Sequence, residues 1–163
     1  VPVVEFTPSR SQRRLYKKNQ DLQVTSLPCR YDDEHYQLYR RYQALRHPGG
    51  SMDIDDPERY INFFQAAGLE TRLVEFRLGE HLLCIAVIDW LPAGLSAVYT
   101  FFDPDFSDRG PGAYAILWQL NQARKIGLPY VYLGYWIKEC DKMSYKSRYN
   151  PHELYINNHW LRI

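Results

Sequence analysis

The stretch GLSAVYTFFDPDFSDRGPGAYAILWQLNQARKIGLPYVYLGYW, residues 94–136, decides the fold. Gly94–Phe102 is rich in β-branched and aromatic residues and reads as a strand. The turn Asp103–Gly112 follows, dense in Asp, Gly and Pro. Ala113–Ile126 then takes a helical period, with Ala115, Trp118, Leu120 and Ala123 as partly buried positions and Gly127 as its stop. Tyr130–Trp136 reads as a second strong strand. Strand, turn, helix and strand in that order predict a right-handed crossover between parallel strands.

Upstream, Thr71–Arg77 and His81–Trp90 read as two more strands, with turns at Gly79-Glu80 and Pro92-Ala93-Gly94. With Gly94–Phe102 they predict an antiparallel meander. Asp32 or Asp33 caps a helix running to about His47. Its inner face carries Tyr36, Tyr39, Tyr42 and Leu45, and Pro48-Gly49-Gly50 ends it. Asp56-Pro57 opens another helix, with Tyr60, Phe63, Phe64 and Ala67 as its buried stripe and Gly68 as its stop. Val1–Phe6 reads as a first strand. At the far end, Lys142–Arg148 reads as a short helical piece and Leu154–Ile163 as a last strand or ribbon. The expected fold is α+β, a mixed sheet flanked by helices.

The chain has 163 residues, enough for a single domain over 1–163 with one core. Residues 1–20 are expected to be a basic N-terminal strand or arm. The start, VPVVEFTPSR, has neither an initiator Met nor the order of a signal peptide, so the chain reads as part of something longer. No run approaches the roughly 20 apolar residues that span a bilayer, so no membrane partner is expected. Three cysteines, Cys29, Cys84 and Cys140, make neither a disulfide framework nor a CxxC metal signature. Cys84 sits in an apolar run and reads as core. No metal is expected on this chain, and a reducing cytoplasm is the simplest compartment.

Net charge is only +1, but the distribution is uneven. Residues 1–50 carry nine Lys and Arg against five acids, 51–110 carry four against eleven, and 111–163 carry seven against three. Two basic ends flank an acidic middle, and folding could bring them together as one positive face.

Two segments carry chemistry. Gly110 and Gly112 precede a helix whose N-terminus is an anion site, which makes them a candidate phosphate loop. Asp103, Asp105 and Asp108 in the same turn repel a phosphate and suit a positive group such as an incoming amine; capping a turn is their common alternative use. The second segment, 130–151, interleaves aromatics with cations: Tyr135, Trp136, Lys138, Lys142, Tyr145, Lys146, Arg148 and Tyr149. Stacking platforms beside cations suit the single-stranded end of an RNA. A second basic group, Arg10, Arg13, Arg14, Lys17 and Lys18, contains no acid; such runs are often simply solvated faces.

The motifs YTFFDPD, YAILWQ, GLPYVYLGYWI and KMSYKSRY, with SAVYT and FTPSRSQRR, closely resemble the arginyl-tRNA–protein transferase family, above all its bacterial aspartate/glutamate leucyltransferase branch. The resemblance covers most of the chain. It implies a GNAT-like fold in which a splayed strand pair forms the donor cleft. It implies transfer of an amino acid, Leu favoured and Arg an alternative, from aminoacyl-tRNA to the α-amine of proteins beginning with Asp or Glu, marking them for degradation. DNA is not an implied partner. The family's cysteine cluster has no counterpart here, so any metal or iron–sulfur cofactor is expected in an N-terminal region outside the chain.

The donor ester is already activated, and an α-amine titrates near 7.7–8.0. Placement alone supplies about 7–11 kcal/mol of such a barrier. Asp103 or Asp105 is therefore expected to position or deprotonate the amine, and Tyr99 or Tyr135 to donate to the carbonyl. One basic group, Arg10, Arg13 and Arg14 or Lys142, Lys146 and Arg148, is expected to hold the acidic N-terminus and the other the tRNA, with Trp136, Tyr145 and Tyr149 as aromatic surfaces. The alternatives are an acyl-CoA-dependent GNAT enzyme, which Asp108-Arg109-Gly110-Pro111-Gly112 matches poorly, and a non-catalytic RNA-binding module.

Overall fold

In chain order the protein forms helix α1 (Arg10–Lys18), strand β1 (Gln23–Pro28), helices α2 (Asp33–Arg46) and α3 (Pro57–Phe64), strands β2 (Glu70–Leu78), β3 (His81–Leu91) and β4 (Gly94–Phe102), helix α4 (Pro111–Lys125), and strands β5 (Tyr130–Tyr132), β6 (Glu153–Ile156) and β7 (His159–Arg162). Two 3₁₀ helices cover Pro104–Arg109 and Asp141–Arg148. The structure is a computed structural model that describes residues 1–46, 48–50, 55–65 and 68–163. A five-stranded mixed sheet runs in the order β1-β2-β3-β4-β5. All its pairs are antiparallel except β4–β5, so the expected meander is present and α4 connects two parallel strands, as expected.

Helices cover both faces of the sheet, which is why β3 is buried along nearly its whole length. Phe76, Cys84, Ala86 and Ile88 pack toward α4, with Tyr114, Ala115 and Leu117. Leu73, Ile85, Val87 and Phe101 pack toward α2 and α3, with Tyr36, Tyr39, Tyr60 and Phe64. The fold is α+β and GNAT-like, as expected.

Several elements differ from expectation. Val1–Phe6 is not a strand. It makes one bridge, Pro2 to Tyr130, and a proline without an N–H cannot extend a ladder. The basic arm is a helix. Gln12 N donates to Ser9 Oγ at 3.2 Å and Ser9 N to Gln12 Oε1 at 2.8 Å, a capping box that starts α1. Strand β1 was not expected at all. Helix α3 ends at Phe64, where Gln65 N donates to Ile61 O, so Gly68 is not its stop. Phe63 is 53% exposed. His47 and Ala67 lie outside the described residues. Leu45 is also exposed, because three steps of three residues rotate it about 180° from Tyr36 around a helix with 3.6 residues per turn.

The expected strand Tyr130–Trp136 stops at Tyr132, and Gly134, at φ +75°, turns the chain away from the sheet. The last ribbon is a separate hairpin, β6–β7. Asn157 and Asn158 both take positive φ in its two-residue turn. Arg162 bonds Glu5 at 2.6 and 2.8 Å and ties the hairpin to the N-terminal segment.

Candidate functional site

Strand β5 pairs with β4 over Gly94–Ser96 only. Beyond that point β4 continues through Phe102 with no strand on that side among the described residues. The register of β3 and β4 also shifts here, between Val87 and Ile88. The open edge lies beside the start of α4, where Phe102 approaches Gly112. A parted parallel pair next to a helix N-terminus is a crevice that can take a ligand on one side and an anion on the other.

Tyrosines line this region. Tyr42, from α2, stacks edge-on against Phe102 at 5.0 Å and lies 6.5 Å from Tyr99. Burial, helped by Tyr99 and to a smaller extent by Tyr145, pushes the Tyr42 hydroxyl up to about 12. Burial also raises Tyr99. Both therefore remain protonated at neutral pH and suited to donating hydrogen bonds. Tyr99 Oη accepts from Gln43 Nε2 at 2.9 Å.

The acidic turn is organised by residues distant in sequence. Asp103 is 1% exposed. Its Oδ1 accepts from Arg41 Nη2 at 2.9 Å and Asp105 N at 3.1 Å; its Oδ2 accepts from Arg41 Nη1 at 3.1 Å and lies 3.0 Å from His81 Nε2. Its carboxylate is thus fully engaged. Asp105 also meets Arg41, at 3.1 Å, but is 77% exposed. Asp108 pairs with Lys18 at 2.9 Å, and that bond holds its carboxyl below the usual range.

The loop before α4 is bolted to α1. Arg109 donates to Asn19 Oδ1 and to Lys18 O and pairs with Asp21. Gly110 sits at φ +61°, and a Cβ there would fall 2.6 Å from Leu15 Cδ1. Gly110 is therefore needed for that packing, whereas Gly112 lies in the first turn of α4.

The expected aromatic and basic residues divide. Tyr149 is 3% exposed and packs against Phe6 at 6.2 Å, so it belongs to the core and offers no stacking face. Tyr135 is 91% exposed, Tyr145 and Arg148 are exposed, and Trp136 is half-buried. Lys146 is half-buried and donates to Tyr135 O; burial lowers its ammonium. Lys142 is exposed. Arg10, Arg13 and Arg14 are all exposed on α1. The two basic groups are joined by a bond from Gln12 Nε2 to Arg148 O at 3.2 Å. A cavity of about 280 Å³ lies between α1 and α4, with Phe6, Tyr16, Leu117, Arg13 and Lys17 among its lining residues.

Arg41, Gln43 and His81 escaped the sequence reading. Arg41 and Gln43 flank Tyr42 on a helix, and nothing local marks them; their partners Asp103 and Tyr99 lie 62 and 56 positions away. Among the described residues no three His, Cys, Asp or Glu side chains gather as a metal site. No helix among them is long and apolar enough to cross a membrane.

The mixed sheet, its parted parallel pair and the flanking helices define an α+β domain of GNAT-like architecture. The family model described as "Arginine-tRNA-protein transferase, C terminus" matches residues 34–156, and the chain belongs to this family. A protein of Nitrosococcus oceani named aspartate/glutamate leucyltransferase is 52% identical over 161 residues, covering 98% of this chain and 68% of that protein. Proteins of the same name from Polynucleobacter necessarius and Pseudomonas aeruginosa are 50% and 47% identical, covering all of this chain and 67% and 69% of their own lengths. The chain thus spans about two thirds of the relatives it matches.

Proposed function

We propose that this domain transfers an aminoacyl group, leucyl in preference to arginyl, from tRNA to the α-amine of proteins that begin with Asp or Glu. The observation that carries this proposal is the parting of β4 from β5 beside Tyr42 and Tyr99, at the start of α4. The leucyl preference rests on the names of the relatives and on the aromatic, apolar surroundings of that edge. The product would be marked for degradation in the cytoplasm. In this proposal, any metal or iron–sulfur centre would belong to the part of the whole protein that this chain does not span.

In the step proposed, the amine nitrogen attacks the ester carbonyl carbon of the aminoacyl-tRNA. The new C–N bond forms as the C–O bond to the terminal ribose breaks, and the proton lost by nitrogen ends on the ribose oxygen. No outside oxidant or reductant is needed. Tyr99 is the better placed donor to the carbonyl oxygen, since Tyr135 stands out in solvent. Asp105 is the better placed carboxylate to meet the amine, with Asp103 acting through Arg41 to hold the turn. The cations of α1 and those of the segment 142–148 share the tRNA end and the acidic N-terminus between them. An acyl-CoA-dependent reaction gains no support from the loop before α4, because Arg109 is spent on Asn19, Lys18 and Asp21.

The complete protein is mixed with labelled aminoacyl-tRNA, or labelled acetyl-CoA, and a peptide starting with Asp. Label passing from tRNA to the peptide supports the proposal, and its absence rejects it. Arg13→Glu with peptides starting Asp, Glu or Ala then separates the basic groups. Loss confined to acidic peptides makes α1 the carboxylate receptor, and uniform loss makes it the tRNA surface.

A further inference from the structure

We propose that Gln43 is a positioning residue that leaves the Tyr99 hydroxyl free to act as a dedicated hydrogen-bond donor to the acyl carbonyl. The inference rests on the function proposed above and deepens it by adding a residue from a distant helix.

Gln43 is 0% exposed, in the middle of the interface between α2 and the sheet. An apolar side chain would fill that place without a desolvation cost. The amide instead donates from Nε2 to Tyr99 Oη at 2.9 Å, while its Oε1 is buried with no partner among the described residues. The amide places Nε2, and not Oε1, on the phenol oxygen; in the opposite orientation Oε1 would take the phenol proton, and both N–H donors would be without the Tyr99 partner.

The orientation present has a chemical consequence. A phenol has a single proton, and Tyr99 uses its oxygen to accept from Gln43. The proton is left for another acceptor; among the described residues Gln43 is the one side chain hydrogen-bonded to that hydroxyl. Burial of Tyr99 keeps the proton on it at neutral pH. The ring itself is fixed by Phe64 at 5.9 Å, Phe101 at 6.4 Å and Tyr42 at 6.5 Å. Tyr99 lies in the part of β4 that β5 leaves uncovered. The result is a protonated, half-buried, pre-oriented donor at the open edge, the arrangement that stabilises a developing oxyanion.

The test is a double-mutant cycle in the complete protein, reading kcat and KM for aminoacyl-tRNA in the parent, Gln43→Leu, Tyr99→Phe and the double variant. Tyr99→Phe is expected to lower kcat by about 10²–10³, the usual effect of deleting one oxyanion donor. Gln43→Leu is expected to lower kcat by roughly tenfold, less than outright deletion of a donor, with KM unchanged. In the Tyr99→Phe background it is expected to cost nothing more. An equal loss in both backgrounds would make Gln43 merely structural and overturn the inference, as would an unchanged kcat in Gln43→Leu or in Tyr99→Phe.

If the Leu variant does not fold, Gln43→Glu gives a second reading. Ionised, Glu accepts the phenol proton and consumes the donor; protonated, it can donate as Gln does. Its rate relative to the parent is expected to rise as pH falls. A ratio that is flat with pH overturns the inference. No transfer by the parent removes the proposed function and this inference with it. Transfer by the parent alongside any of the failures above removes this inference alone.

Discussion

Arg41 reaches from α2 to the turn after β4 and clasps Asp103 through two parallel hydrogen bonds, at 2.9 and 3.1 Å. The pair is asymmetric: Asp103 is 1% exposed and Arg41 50%. Removing the guanidinium leaves a buried carboxylate with only His81 and one N–H. Breaking a fully buried pair costs about 3–5 kcal/mol. Half-exposure of Arg41 screens the charge, so about 1–2 kcal/mol is expected for Arg41→Met. Arg41→Lys should fall between, because an ammonium does not bridge both oxygens. Urea unfolding checks this, and unchanged midpoints in both variants would refute it.

Acid should weaken the protein through Glu75. His35 Nε2 lies 2.6 Å from its carboxylate and Arg77 Nε 2.8 Å, while Arg77 also holds Glu34. The Arg77 hydrogen bond, with a smaller contribution from His35, holds the Glu75 carboxyl below its ordinary 4.5. A depressed carboxyl stabilises the fold fully above about 4.5, and that contribution drains away as pH falls through the lower folded value. Glu75→Gln should therefore be less stable than the parent at pH 7 and lose less between about pH 5 and 3. Parallel curves of urea midpoint against pH for the two proteins would contradict this.

The sequence made the fold legible wherever period and punctuation agreed. Gly94–Phe102 was bounded correctly because Pro92 through Gly94 mark the turn and Asp103 caps the next element. Strand β1 was invisible because it is an edge strand with only Val24, Leu27 and their neighbours to offer, in no alternating order. Helix α1 carried a readable signal, Ser9 three residues before Gln12, but its density of charge masked it. Tyr130–Trp136 was overextended because apolar residues continue after Gly134 has turned the chain. The site was half legible. Asp103, Asp105 and Tyr99 stand in one dense motif, but Arg41, Gln43 and His81 acquire meaning only through long-range contacts, which no local pattern encodes.

Two glycines of the same loop should behave differently. Gly110 combines φ +61° with Leu15 Cδ1 only 2.6 Å from a built Cβ. Gly110→Ala should cost about 2–5 kcal/mol, from left-handed strain of about 1–2 and overpacking of about 1–3. Gly112→Ala meets only Phe102, at 3.8 Å, which is ordinary contact. It should leave thermal stability unchanged and raise KM for aminoacyl-tRNA if backbone there approaches a phosphate. A stability loss at Gly112 as large as at Gly110 would show that both serve packing alone.

The α1 cations offer a last discrimination, because their partners differ. Lys18 is already paired with Asp108 at 2.9 Å, whereas Arg13 spends one nitrogen on Pro8 O and stays exposed. A cation that meets a phosphate releases a counterion, so its loss lowers the slope of log affinity against log salt by about 0.7–0.9. Arg13→Gln should weaken tRNA binding and reduce that slope by about this amount, while Lys18→Gln should change neither. Filter binding across a salt series measures both. If the slope instead falls with Lys18→Gln and not with Arg13→Gln, the Lys18–Asp108 pair must open on binding, and the RNA path crosses the loop before α4 instead of the outer face of α1.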